Sequence, residues 1–227
     1  MSNHAPSLSH LRKHHGDFET MCTQMQQSAA IRFDPVWWGV WQQYIAPCLP
    51  EDGHVVDFGC GPGDLFTSLR TRHPRVRLTG VEIQPAMLVA ARELAAQLSA
   101  TIVEADLTQP LPLADASADV AAAVMVLHEM PNPLHALGEM WRVLRPGGAL
   151  LLYDWVRQPL QTYQSMRTHP EQEGCELDVD VLQHFREHCA YTPDDLVFLA
   201  ETTGFAVLEV IGRVNNGFAM LALARPG

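Results

Sequence analysis

The chain has 227 residues, 47% of them hydrophobic, enough for one α/β domain with a sizeable core. A formal charge of -11 at pH 7 argues against a nucleic-acid backbone as the main partner, and no apolar run approaches a membrane span. The five cysteines (Cys22, Cys48, Cys60, Cys175, Cys189) form no CxxC pair, and the N-terminus lacks a signal-peptide core, so free thiols in a cytoplasmic protein are expected.

Residues 1–16 are polar and rich in histidine (His4, His10, His14, His15), which reads as a flexible or capping solvated tail rather than a metal site. A helical pattern runs from Phe18 to about Ser28, with Met21 and Met25 one turn apart. A second helix starts at Phe33-Asp34-Pro35, where Asp34 is a natural N-cap and Pro35 suits the first helical position. It carries Trp37, Trp38 and Trp41, too many large aromatics for one thin stripe. Such rings can pack on the sheet edge or wall a substrate pocket, and both roles are open at this point. Residues 1–50 thus read as a helical cap on a domain spanning 51–227.

The run Val55-Val56-Asp57-Phe58 reads as a buried parallel strand, followed by glycines at 59, 61 and 63 and a helix from Asp64. Glycines here permit positive φ and close approach of a ligand to the main chain, and the helix start offers unpaired N–H groups to an anion. A second strand, Val76–Val81, ends in Glu82, placed to accept hydrogen bonds from ribose hydroxyls. A helix from Pro85 to about Leu98 leads to a short strand, Thr101-Ile102-Val103, which closes at Glu104-Ala105-Asp106. After a proline-rich loop, an alanine-rich strand over 119–126 ends at Leu127-His128-Glu129-Met130. A helix over Pro133–Leu144, a turn at Arg145-Pro146-Gly147-Gly148 and a strand over Ala149–Asp154 follow. The insertion at about 155–203 holds two helices, and Phe205–Ile211 and Phe218–Leu223 form a final antiparallel pair joined at Asn215-Asn216-Gly217.

Four ordered pieces carry a family resemblance: Asp57-Phe58-Gly59-Cys60-Gly61-Pro62-Gly63, Gly80-Val81-Glu82-Ile83, Glu104-Ala105-Asp106-Leu107 and Arg142-Val143-Leu144-Arg145-Pro146-Gly147-Gly148. Over roughly residues 50–156 the chain resembles the class I S-adenosylmethionine-dependent methyltransferases, in their small-molecule branch. The resemblance implies an α/β, Rossmann-like, doubly wound seven-stranded sheet of order 3-2-1-4-5-7-6, its last strand antiparallel and helices on both faces. It also implies S-adenosylmethionine as cofactor and S-adenosylhomocysteine as product. Asp57, Gly59, Gly61 and Gly63 would hold the methionine end, Glu82 the ribose, and Asp106 and Leu107 the adenine; Cys60, Ile83 and Met125 would also line the cofactor site, and Leu127–Met130 would lie beside the methyl group. The substrate pocket would be walled by Trp37, Trp41, Glu129, Tyr153 and Asp154.

Methyl transfer from a sulfonium is an in-line displacement, so alignment of donor and acceptor is the main requirement. A base is needed only where the acceptor loses a proton, and His128, which titrates near neutrality, is the candidate. His184 and His188 share metal-ligand spacing, but Phe185 stands where the zinc-protease HExxH pattern requires an acid. They therefore read as solvated or core residues, and no metal is expected. The expected partner is a small-molecule acceptor, with no nucleic acid and no membrane, for a monomer or homodimer. Methylation of a protein or RNA, and a cofactor-binding regulator without turnover, remain as alternatives.

Overall fold

The computed structural model describes residues 5–167, 179–213 and 217–227. Cys175 and Asn215-Asn216 of the expected hairpin turn lie outside them. Three helices come first: α1 (Ala5–His15), α2 (Phe18–Arg32) and α3 (Pro35–Val40), the last running on into one wider turn over Trp41–Ile45. Asp17 caps α2 by accepting from the Thr20 N–H, and Asp34 caps α3 by accepting from the Trp37 N–H. There follow β1 (His54–Phe58), α4 (Asp64–Arg72), β2 (Arg77–Glu82), α5 (Pro85–Leu98), β3 (Thr101–Glu104) and β4 (Ala118–Val124). The chain then forms α6 (Pro133–Val143), β5 (Leu144–Trp155), α7 (Leu160–Arg167), α8 (Val179–His188), α9 (Pro193–Thr202), β6 (Ala206–Arg213) and β7 (Phe218–Ala224).

The strands make one seven-stranded sheet of order β3-β2-β1-β4-β5-β7-β6. Strands β1 to β5 pair in parallel, and β7 runs antiparallel to both β5 and β6. The expected order and the antiparallel last strand are those found. β5 begins at Leu144 rather than Ala149, because Leu144 already pairs with Ala118 of β4, and the expected turn residues 145–148 fall in the irregularity before Ala149 pairs with Val120.

Alternation along the strands divides the core in two. Val56, Phe58, Ala121, Ala123, Leu150 and Leu152 face the side covered by α6 and α9. Val55, Val120, Ala122, Leu151 and Tyr153 face the side covered by α3 and α4. Alanines in the central strand let helices approach closely on both faces, which accounts for the composition of β4.

The tryptophans belong to that second core. Trp37 and Trp41 are 0% exposed, stacked at 5.3 Å and 17°, and Trp38 and Phe33 pack edge-on against Trp37. The expectation that Trp37 and Trp41 wall a substrate pocket is therefore corrected: their rings are consumed in fixing α3 to the sheet. No helix among the described residues is long and apolar enough to cross a membrane.

Candidate functional site

The carboxyl ends of β1, β2, β3 and β4 open into a cavity of about 880 Å³, covered by α1 and α2. Strand ends at a change of sheet direction are where such folds bind ligands, and the volume is in the usual range for small-molecule sites. At one end, β1 delivers Asp57 and the turn that follows it. Gly59, Gly61 and Gly63 all have positive φ, and a Cβ at Gly59 would lie 2.5 Å from Val126 Cγ2. Cys60 is buried in the turn, its Sγ tucked where a Cβ at Gly80 would fall.

Asp57 is 3% exposed, and its Oδ1 has no hydrogen-bond partner although it is buried. Burial, with the Glu82 and Asp64 carboxylates nearby, pushes its pKa up to about 7 against the opposing pull of Arg32. An orphaned carboxylate oxygen on the wall of a cavity suits a ligand that brings positive charge or a donor. Arg32, at the end of α2, pairs with Asp64 at 2.7 Å and joins the helical cap to the start of α4.

Glu82 is held by three backbone donors at 2.8 Å each, from Gly61, Ile83 and Gln84. Burial raises its pKa while those N–H groups oppose the rise. Asp106 accepts from the Thr108 N–H at 2.9 Å, the Thr108 hydroxyl at 2.7 Å and the Ser7 hydroxyl at 2.6 Å. Ile83, Leu107 and Met125 complete this end of the wall. Met125 sits at φ 58, a left-handed conformation held by its N–H donating 2.7 Å to the Tyr153 carbonyl.

The other end of the cavity is lined by His15, His128, Glu129, Trp155, His184 and His188. His128 Nδ1 lies 2.5 Å from Asp154 Oδ1 and its Nε2 lies 3.0 Å from Glu129 Oε1. Both ring nitrogens thus donate to carboxylates. Burial by itself would lower the His128 pKa, yet Asp154 and Glu129 outweigh it and hold the value up at about 10. The engagement of both ring nitrogens by carboxylates favours the charged ring and counts against the expected general-base role of His128. Asp154 lies behind it, accepting from the backbone of Leu127 at 2.6 Å, Trp155 at 2.8 Å and Val126 at 3.3 Å.

Of the residues expected in the site, Asp57, Gly59, Cys60, Gly61, Glu82, Ile83, Asp106, Leu107, Met125, His128 and Glu129 line the cavity. Gly63 instead caps α4, Tyr153 is buried in the core between the sheet and α3 and α4, and Asp154 supports His128 from beneath. Ser7, His15, Arg32, His184 and His188 line the cavity without having been expected there. His188 is buried and its ring stacks on His184 at 3.7 Å, so neither histidine is a plain solvated residue. Of the stretch read as a flexible or capping tail, Ala5–His15 form α1 and close the cavity; only the density of polar hydrogen-bonding groups hinted at it.

Such a cradle, with an acid at each of three successive strand ends, defines a Rossmann-like domain built for a nucleoside bearing a charged tail. A family model described as a methyltransferase domain matches residues 56–152. Demethylmenaquinone methyltransferase of Deinococcus radiodurans is 38% identical over 103 residues, 44% of this chain and 42% of that enzyme. A SAM-dependent methyltransferase from Aquifex aeolicus is similar in structure, with a TM-score of 0.68 at 20% identity over 91% of this chain and 98% of that one. The cyclase SpnF is also similar, with a TM-score of 0.60 at 18% identity over 89% of this chain and 80% of that one. Residues 56–152 thus match a methyltransferase domain, and the chain has the fold of the S-adenosylmethionine-dependent methyltransferases, whose cofactor is S-adenosylmethionine. It spans well under two thirds of the length of the curated relatives it matches.

Proposed function

We propose that the protein transfers a methyl group from S-adenosylmethionine to a small-molecule acceptor held at the histidine-rich end of the cavity. The observation that carries this reading is the continuity of one covered cavity from Asp57, Glu82 and Asp106 to His128, Glu129 and Trp155. An acceptor enclosed beneath α1 has to be small, which favours a metabolite over a protein or RNA. The relative from Deinococcus radiodurans, named for a small-molecule acceptor, agrees.

In this reading Asp57 and the glycine turn bind the methionine end, Glu82 the ribose, and Asp106 with Leu107 the adenine. The cofactor, when bound, supplies an activated methyl group. The protein aligns it with the acceptor and excludes water, which is the larger part of what such a displacement needs. Glu129, not His128, is the group able to orient an acceptor or take its proton. Imidazoles and a carboxylate at that end favour an acceptor with a polar or cationic head, in place of the apolar one that pocket tryptophans would have implied.

Calorimetric titration of S-adenosylmethionine and S-adenosylhomocysteine into wild type and Glu82→Ala tests the cofactor half. Binding that the substitution weakens by roughly tenfold or more is expected, since a charged acceptor of hydrogen bonds is lost. Transfer of labelled methyl to a panel of small polar acceptors tests the rest. A folded wild type that binds neither ligand would overturn the proposal.

A further inference from the structure

We propose that His15, Glu129 and His188 form a binding site for one divalent transition-metal ion at the acceptor end of the cavity. Their ligand atoms all lie within 4.8 Å of one another, and among the described residues they are the group so placed. His15 Nε2 is 2.6 Å from Glu129 Oε1, and His188 Nε2 is 3.9 Å from the same oxygen. Tetrahedral zinc with bonds near 2.05 Å would set its ligands about 3.4 Å apart, so these separations bracket the requirement. Small side-chain rotations bring the three donors onto one ion. Two imidazoles and one carboxylate form a donor set that suits zinc and its first-row neighbours better than magnesium or calcium.

The surroundings prepare the ligands for this task. His188 Nδ1 lies 3.1 Å from the His184 carbonyl, which can only accept, so the proton sits on Nδ1 and the Nε2 lone pair faces Glu129. A ligating histidine whose other nitrogen donates to a backbone carbonyl is the usual supported arrangement at metal sites. His184 stacks flat on His188, at 3.7 Å and 7°, and Trp155 packs edge-on against it at 6.4 Å and 78°. Glu129 is steadied by His128, which Asp154 holds in turn. The three ligands come from α1, the turn after β4 and α8, so the ion would pin the helix that closes the cavity to both walls.

All three residues line the cavity, so an ion with three protein ligands keeps a coordination position on the acceptor side. An acceptor carrying a lone-pair oxygen, nitrogen or sulfur could occupy it and be fixed in place. That role rests on the proposed methyl transfer; the binding of the ion does not.

Chelator-treated protein would be titrated with Co²⁺, followed by its visible d–d absorption, and with Zn²⁺ by calorimetry. One equivalent is expected in wild type. His188→Ala and Glu129→Gln should each weaken uptake by roughly a hundredfold or more, beyond the loss that changes around a metal's ligands usually bring. His15→Ala, on a terminal helix, gives the same test without disturbing the core. His10→Ala, on the same helix but outside the trio, should bind as wild type does. No uptake by wild type, or uptake untouched by all three ligand substitutions, would overturn the site. Cofactor titration of the same samples separates the two proposals. Cofactor binding without metal uptake removes the metal site alone, and metal uptake without cofactor binding removes the methyl-transfer reading alone.

Discussion

Ser7 Oγ donates a 2.6 Å hydrogen bond to Asp106 Oδ2, tying the first helix of the chain to the acid that follows β3. With His15 against Glu129 at the other end, α1 is latched across the cavity at two points. A ligand beneath it is expected to leave when the latches open. A hydrogen bond to a charged group contributes about 1.5–3 kcal/mol, so Ser7→Ala should speed release of S-adenosylhomocysteine on the order of tenfold. Removal of residues 1–16 should speed it further. Stopped-flow fluorescence measures the rate; release as slow as in wild type would show that the ligand leaves by another path.

Asp57 should make cofactor affinity depend on pH if it meets the cofactor as proposed. Its folded pKa, raised to about 7, lies above its ordinary value of 3.8, so the folded protein holds this proton more tightly than the unfolded chain. The stability it contributes is present below about pH 4 and is lost as pH rises through about 7. A cationic ligand reverses the preference, because it favours the ionised carboxylate. Affinity for S-adenosylmethionine should rise by up to roughly tenfold per unit between about pH 5.5 and 7, then level off. Calorimetry across that range checks the slope. Asp57→Asn should flatten it, leaving only what the ligand's own groups contribute.

The strand ends at the site were readable because their signals are local, glycines at 59, 61 and 63 and acids where β1, β2 and β3 end, whereas the strand order came from the family resemblance those motifs carry. Each of those residues answers to its own few neighbours, so sequence spacing carries the information. The direction of burial does not work that way. Three tryptophans in five positions announce a large buried face, but nothing in α3 says which side of the sheet receives it. His15 and Glu129 meet across a separation of 114 residues, and no spacing rule reaches that far. His128 titrates as it does because of Asp154 behind it, a pairing that exists only once β4 and β5 lie side by side.

Trp41→Ala should act on stability and leave the cofactor site alone. The side chain is 0% exposed, stacks on Trp37, and directs its indole N–H to His73 Nε2 at 3.3 Å. Truncating a buried tryptophan costs about 3–5 kcal/mol. In a domain of this size that lowers Tm by roughly 10 °C. Affinity for S-adenosylmethionine, measured well below the transition, should match wild type. Weaker acceptor binding at full thermal stability would return Trp41 to the pocket.

Asp154 should behave as a positioning residue whose loss damages both fold and turnover. It is 1% exposed and accepts from three backbone N–H groups as well as from His128. Asp154→Ala strands all four donors, and each buried unsatisfied group costs about 1–3 kcal/mol, so a loss above roughly 3 kcal/mol is expected in denaturant unfolding. Asp154→Asn keeps one acceptor oxygen but turns an amide donor toward another donor, so its cost should be smaller and still clear. A purely structural role would end there. Because Asp154 reaches Glu129 only through His128, the folded Asp154→Asn protein should also lose kcat while retaining affinity for S-adenosylmethionine. Equal kcat in Asp154→Asn and wild type would mean that Glu129 keeps its orientation without the pair beneath it.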